Sequence, residues 1–171
     1  MIHTWVSWVC SDVFLWSWIS LAVVVFVVLT QISAPYGRHG RSGWGPSIPA
    51  RWGWFVMEVV TLLGFGLCFW ISELKGWEAI IFLFLYTGHY VYRACIYPWL
   101  SPPGATAIPL SVVAMATMFN VINSTVLGGA LFVLDGASAV PTSRLLLGLG
   151  LFAVGFVTHV RSDAILRRLR R

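Results

Sequence analysis

Five long apolar runs, separated by more polar connections, constrain this chain more than anything else in it: residues 13–32, 52–72, 77–97, 107–134 and 145–160. About 20 apolar residues cross a bilayer core as a helix. A helix also satisfies its own backbone hydrogen bonds, as any segment surrounded by lipid must. The expected fold is therefore all-α: a polytopic membrane helix bundle with five transmembrane helices, forming one membrane-embedded domain over residues 1–171. The last helix is expected to continue past the membrane. Composition closes the soluble alternative. Hydrophobic residues make up 58% of the chain and charged residues 10%, whereas soluble domains carry about 25% charged residues. The first run lacks a basic leader and is too long for the apolar part of a signal peptide, so a retained span is expected.

The loops orient the bundle. Arg38, Arg41 and Arg51 lie between runs one and two, Arg93 at the exit of run three, and Arg161, Arg167, Arg168, Arg170 and Arg171 after run five. The turn between runs two and three holds Glu73, Lys75 and Glu78, and Asp135 and Arg144 cancel between runs four and five. Excess positive charge thus alternates sides, predicting the N-terminus outside and the C-terminus in the cytoplasm. An odd number of spans requires the same arrangement. This clustering accounts for the +5 net charge without nucleic acid as a partner, and points instead to membrane lipids. Cys10, Cys68 and Cys95 form no CxxC or Cys/His pattern, so free buried thiols and no metal site are expected. No internal repeat is visible. Gly148, Gly150 and Gly155 lie inside a span with no preceding strand, so they read as helix-packing positions rather than a dinucleotide motif.

Glu58 is the ionisable residue that needs explaining. It interrupts residues 52–72, where the other side chains near it are apolar, small or uncharged, apart from the flanking residue Arg51. Such a residue costs at least about 2.5–3.5 kcal/mol on insertion scales, so something should face it. Depth arithmetic offers Tyr90: Glu58 lies ~9 Å in from Trp52, and Tyr90 about 10 Å in from Tyr97 on the returning helix. Tyr86, Tyr90, Arg93 and Tyr97 share a helix face, and His89 precedes Arg93 by one turn. Interfacial aromatics with a snorkelling arginine are the competing reading of that stripe. Asn120 and Asn123 in run four either join helices or face a ligand. His159, Asp163, Arg167 and Arg170 form a second stripe. It suits either anionic lipid or the phosphates of an anionic cofactor. The connection over residues 33–51 is long enough to reach over a pocket, and a plain polar connector is the alternative.

Four stretches resemble the steroid 5α-reductase family: Pro35-Tyr-Gly-Arg-His39, Pro49-Ala-Arg-Trp-Gly-Trp-Phe-Val-Met-Glu58, His89-Tyr90-Val-Tyr-Arg93 with Tyr97, and Ser162-Asp163-Ala-Ile-Leu-Arg167-Arg-Leu-Arg170. The resemblance covers nearly the whole chain from Ala34 onward. It implies hydride transfer from NADPH to the β-carbon of an enone such as a 3-oxo-Δ4-steroid, with Glu58 and Tyr90 polarising the carbonyl. It implies cofactor contacts from Tyr36, Tyr97, Asp163 and Arg170, to which the stripes add Arg93, His159 and Arg167. Trp54, Asn120 and Asn123 are the expected substrate-side residues. Two features depart from the family pattern: His159 stands where asparagine is common, and Ser101-Pro-Pro-Gly104 replaces basic residues. The resemblance also implies a further C-terminal portion completing the cofactor site, so this sequence is expected to be a fragment or truncated form of a longer family member, or to have that portion supplied by a longer chain. The expected location is the endoplasmic reticulum in a eukaryote or the inner membrane in a bacterium. The rival readings are a non-catalytic membrane module, such as a transporter-like subunit, and a related reductase or methyltransferase acting on another lipid.

Overall fold

The computed structural model describes residues 2–33, 35, 39–40, 43–73, 75–100, 107–134 and 136–169. Five helices in it are long and apolar enough to cross a membrane, and the protein is an integral membrane helix bundle. The chain opens with a short helix that the apolar runs do not announce, α1 (Ile2–Val9). Ser11 then caps α2 (Asp12–Gln31), its hydroxyl accepting from the Phe14 amide, with Asp12 in the positive first turn. None of the residues of α2 is buried. Its aliphatic surface is lipid-facing, and Trp18 stacks on Phe119 with ring centroids 5.7 Å apart.

The all-α expectation holds, with one small strand pair joining two of the helices. β1 (Ser47–Pro49) and β2 (Ala107–Pro109) pair antiparallel, with Ile48 opposite Ile108. Each strand reads Ile-Pro and leads straight into a helix: α3 (Ala50–Ile71) after Pro49 and α6 (Leu110–Gly128) after Pro109. The two prolines have nearly the same backbone, φ −54° ψ 131° and φ −59° ψ 139°. Proline has no N–H to leave unsatisfied at a helix start, which suits it to both junctions. The strands therefore form a clasp with local twofold character. The Leu110 amide donates to the Pro46 carbonyl, and the Ser111 hydroxyl donates to the Trp44 carbonyl. The C-terminal part of the long connection is thus tied to the start of α6.

From the clasp α3 and α6 run parallel. Gly53 meets Val113, Gly64 meets Ser124 and Gly128 meets Cys68, so contact positions rise together along both chains. Close approach requires glycine at Gly128, where a Cβ would sit 2.9 Å from the Cys68 Cβ. α4 (Trp77–Tyr90) returns antiparallel to α3, bringing Tyr86 onto Phe65 and Arg93 to Glu58. It continues through a π-helical segment, Val91–Ile96, into α5 (Tyr97–Leu100). At the clasp end Trp52, Phe55 and Trp99 make an edge-to-face triangle that fastens α5 to α3. α6 likewise passes into a π-helical segment, Gly129–Val133. α7 (Thr142–Leu169) has 28 residues, about 42 Å of helix against a core of about 30 Å.

Two apolar clusters sit at opposite ends. Met57, Ile108 and Val113 pack above the clasp, with Trp54 against them. Val6, Phe65, Cys68, Ala79, Phe132 and Ala137 form the other, so α1 plugs the far end of the bundle.

Candidate functional site

The inward face of α3 carries Met57, Glu58, Thr61, Phe65 and Cys68, all buried, at helical spacing. Glu58 retains only 8% of its surface. Its direct partner is Arg93: the Arg93 Nε–H donates to Glu58 Oε1 at 3.2 Å. The Arg93 guanidinium also lies over the Trp54 ring, 4.9 Å from the centroid, and Trp54 is one turn before Glu58. The structure thus brings Arg93, expected among the cofactor residues, to the buried acid, and makes Trp54, expected on the substrate side, a platform for that arginine.

Tyr90 and Tyr86 lie one and two turns before Arg93, the partner of Glu58, along the same helix. Glu58 makes no hydrogen bond to Tyr90 among the described residues. The rings form a continuous stack: Phe65 on Tyr86 with centroids 3.8 Å apart, then Tyr86 on Tyr90 at 4.6 Å.

On the other side of these tyrosines lies a cavity of about 310 Å³ between α4 and α7, lined by Tyr86, His89, Tyr90, Phe152, Gly155, Phe156 and His159. Glu58 is not among its lining residues, whereas Tyr86 and Tyr90 are. α7 runs parallel to α4 here and touches it through rings: His89 faces Phe156 and His159, and Tyr92 faces the same two residues. Gly155 is a cavity wall. No atoms lie within 4 Å of a Cβ built at Gly148, Gly150 or Gly155, so the expected packing role of these glycines is not what this fold gives them.

Towards the C-terminal end of α7, His159 Nε2 and Asp163 Oδ2 approach to 3.4 Å, an ion-pair contact without hydrogen-bond alignment. Asp163 is 7% exposed. Arg167 sits over the Tyr97 ring at 5.9 Å. Along this seam Tyr92 OH, His159 Nε2, Asp163 Oδ2 and Arg167 Nη1 are buried without an aligned hydrogen-bond partner among the described residues. Buried polar atoms are normally paired, and His159 brings this polar seam to the cavity wall.

The remaining expectations divide. The Asn120 amide donates to the Met57 carbonyl on α3, which is the helix-joining role rather than the ligand role. Asn123 is half-buried one turn further along. Tyr36 and Arg170 lie outside the described residues. Sequence reasoning missed Phe152 and Phe156 as site residues. Their signal is present: Phe152, Phe156, His159, Asp163 and Arg167 follow one helical stripe.

Two comparisons agree on the relationship. A family model described as 3-oxo-5-alpha-steroid 4-dehydrogenase matches residues 106–171. The steroid 5-alpha-reductase DET2 of Arabidopsis thaliana is 31% identical over 163 residues, 85% of this chain and 59% of that protein. The 3-oxo-5-alpha-steroid 4-dehydrogenase 1 of Homo sapiens is 32% identical over 160 residues, 89% of this chain and 60% of the relative. Its Bos taurus counterpart is 29% identical over 161 residues, 89% of this chain and 62% of the relative. The chain therefore spans about three fifths of the length of these relatives. With likeness at this level over most of its length, the chain belongs to the steroid 5α-reductase family.

Proposed function

We propose that this chain carries the substrate-polarising part of a membrane-bound, NADPH-dependent reductase. The reaction is reduction of an enone C=C bond in a hydrophobic lipid such as a 3-oxo-Δ4-steroid. The names of the relatives support the reaction class. The observation that carries the reading in this chain is the buried Glu58–Arg93 pair on the same two helices as the Phe65–Tyr86–Tyr90 stack, whose tyrosines wall the aromatic cavity.

The cavity suits a flat ring held between Tyr, Phe and His walls, with polar groups at one end. When bound, NADPH supplies the hydride. His159, Asp163 and Tyr97 would hold its polar edge, and Arg167 would pair with phosphate, a role the family resemblance extends to Arg170. The portion of the relatives beyond the matched length would complete this site.

The chain's own residues act on the other reactant. The Tyr90 hydroxyl and the Glu58 carboxyl donate to the carbonyl oxygen of the enone. As hydride reaches the β-carbon, charge develops on that oxygen, and donors already aimed at it stabilise the enolate. The surrounding apolar rings keep water away, which strengthens those interactions.

The test uses the natural open reading frame containing this sequence, in membranes supplied with NADPH and a 3-oxo-Δ4-steroid. Glu58→Gln keeps the volume and loses the acid. It should lower turnover by about 100-fold or more, with NADPH affinity nearly unchanged. Wild-type turnover in this variant would remove the proposed role.

A further inference from the structure

The Glu58–Arg93 contact is one-armed. Arginine offers five N–H donors in a planar fork, yet a single one, Nε–H, reaches a single oxygen, Oε1. Oε2 has no hydrogen bond among the described residues and is not sealed from its surroundings. The guanidinium is held in place by Trp54 at 4.9 Å, and Trp54 is itself packed against Met57, Ile108 and Val113. A snorkelling arginine would send its head to water, but this side chain is only 27% exposed and bonded to a buried acid.

We propose that Arg93, seated on Trp54, is a positioning residue that decides which oxygen of Glu58 carries the acidic proton. Guanidinium is a donor and never an acceptor. When Glu58 is protonated, Oε1, which accepts from the guanidinium, is therefore the carbonyl oxygen of the acid and Oε2 is the oxygen left to carry the proton. The carboxyl therefore enters the site with its donor oxygen already chosen. This removes one of the two arrangements a free carboxyl would sample, which is preorganisation of a donor toward developing charge. The identity of the acceptor, a substrate carbonyl, rests on the reductase reading. The positioning rests on the geometry alone.

Infrared spectroscopy of the chain in lipid vesicles tests this without requiring turnover. The sequence has three glutamates, Glu58, Glu73 and Glu78. Carboxyl-labelled glutamate plus a Glu58→Gln difference spectrum therefore isolates the Glu58 band, which must be the C=O stretch of a protonated carboxyl; a carboxylate doublet in its place overturns the proposal. Arg93→Met should shift that band, and Trp54→Leu should shift it the same way by less. Unchanged helical circular dichroism serves as the folding check for each variant. Arg93→Lys restores charge without the planar fork and should leave the band displaced. A Glu58 band unmoved by Arg93→Met, or fully restored by Arg93→Lys, overturns the proposal. Either result leaves the reductase reading standing, because that reading falls only on turnover.

Discussion

At the scale of single residues, most of what matters is what a helix interface tolerates. Gly128 lies where a Cβ would come 2.9 Å from the Cys68 Cβ, whereas Gly66 has nothing within 4 Å. Gly128→Val should therefore cost about 1–3 kcal/mol through overpacking. Gly66→Ala should be neutral or stabilising by up to about 1 kcal/mol, since alanine is the better helix former. Melting temperatures in one detergent compare the two, and equal effects would contradict the packing derived for Gly128. Asn120 is a milder case. Its bond to the Met57 carbonyl is of a kind worth about 0.6 kcal/mol on average. The sequence exposes Glu58 as anomalous, because an ionisable side chain among apolar ones needs no alignment to detect. It does not reveal Arg93 as the partner. Depth arithmetic assumes an unbroken α-helix and returns Tyr90, but the helix changes pitch just after Tyr90 and the π-helical segment Val91–Ile96 carries Arg93. Nothing local in Val-Tyr-Arg-Ala-Cys-Ile signals that change.

At the scale of elements, the legible parts are those whose cause is local. The spans follow from apolar length, and the start of α2 follows from Ser11 and Asp12. The clasp was not legible, because three-residue strands separated by some sixty positions carry no periodicity of their own. α1 was missed for a related reason: eight residues are too few to span or to fold alone. It exists because Val6 and Val9, both fully buried, close the far end of the bundle. The clasp makes a prediction that separates its two central residues. Ile108 is 3% exposed and belongs to the core above the strands, whereas Ile48 is only partly buried against it. Ile108→Ala should cost about 2–5 kcal/mol, and Ile48→Ala distinctly less. Thermal unfolding of both variants in the same detergent decides it, and an equal or reversed order would mean the clasp is not anchored through β2.

At the scale of the whole molecule, contacts show α3 and α6 running one way and α4 and α7 the other. Glu58 meets Arg93 and Phe65 meets Tyr86 across the antiparallel pair, while His89 and Tyr97 meet His159 and Arg167 across a parallel one. This alternation matches a chain that threads a membrane back and forth, and it divides the bundle into unequal halves. The α3–α6 pair is tied by glycine contacts and the clasp. The α4–α7 pair meets mainly through rings and leaves the cavity between them. The geometry fixes relative direction, and charge predicts the absolute one: with Arg167 and Arg168 in its last turn, the C-terminal end of α7 is expected on the cytoplasmic side. If so, the turn before α4 and the C-terminal end of α7 lie on opposite faces of the membrane. In a chain with Cys10, Cys68 and Cys95 replaced by serine or alanine, Gly76→Cys and Arg168→Cys each place one thiol at an exposed position. A membrane-impermeant maleimide added to intact cells or to oriented vesicles should label Gly76→Cys from the extracytoplasmic side. It should reach Arg168→Cys only after permeabilisation. Labelling of both from one side would break the alternation itself. Labelling in the reverse sense would keep the bundle and turn it over, placing the clasp and the polar end of the cavity away from the cytoplasm and its supply of NADPH.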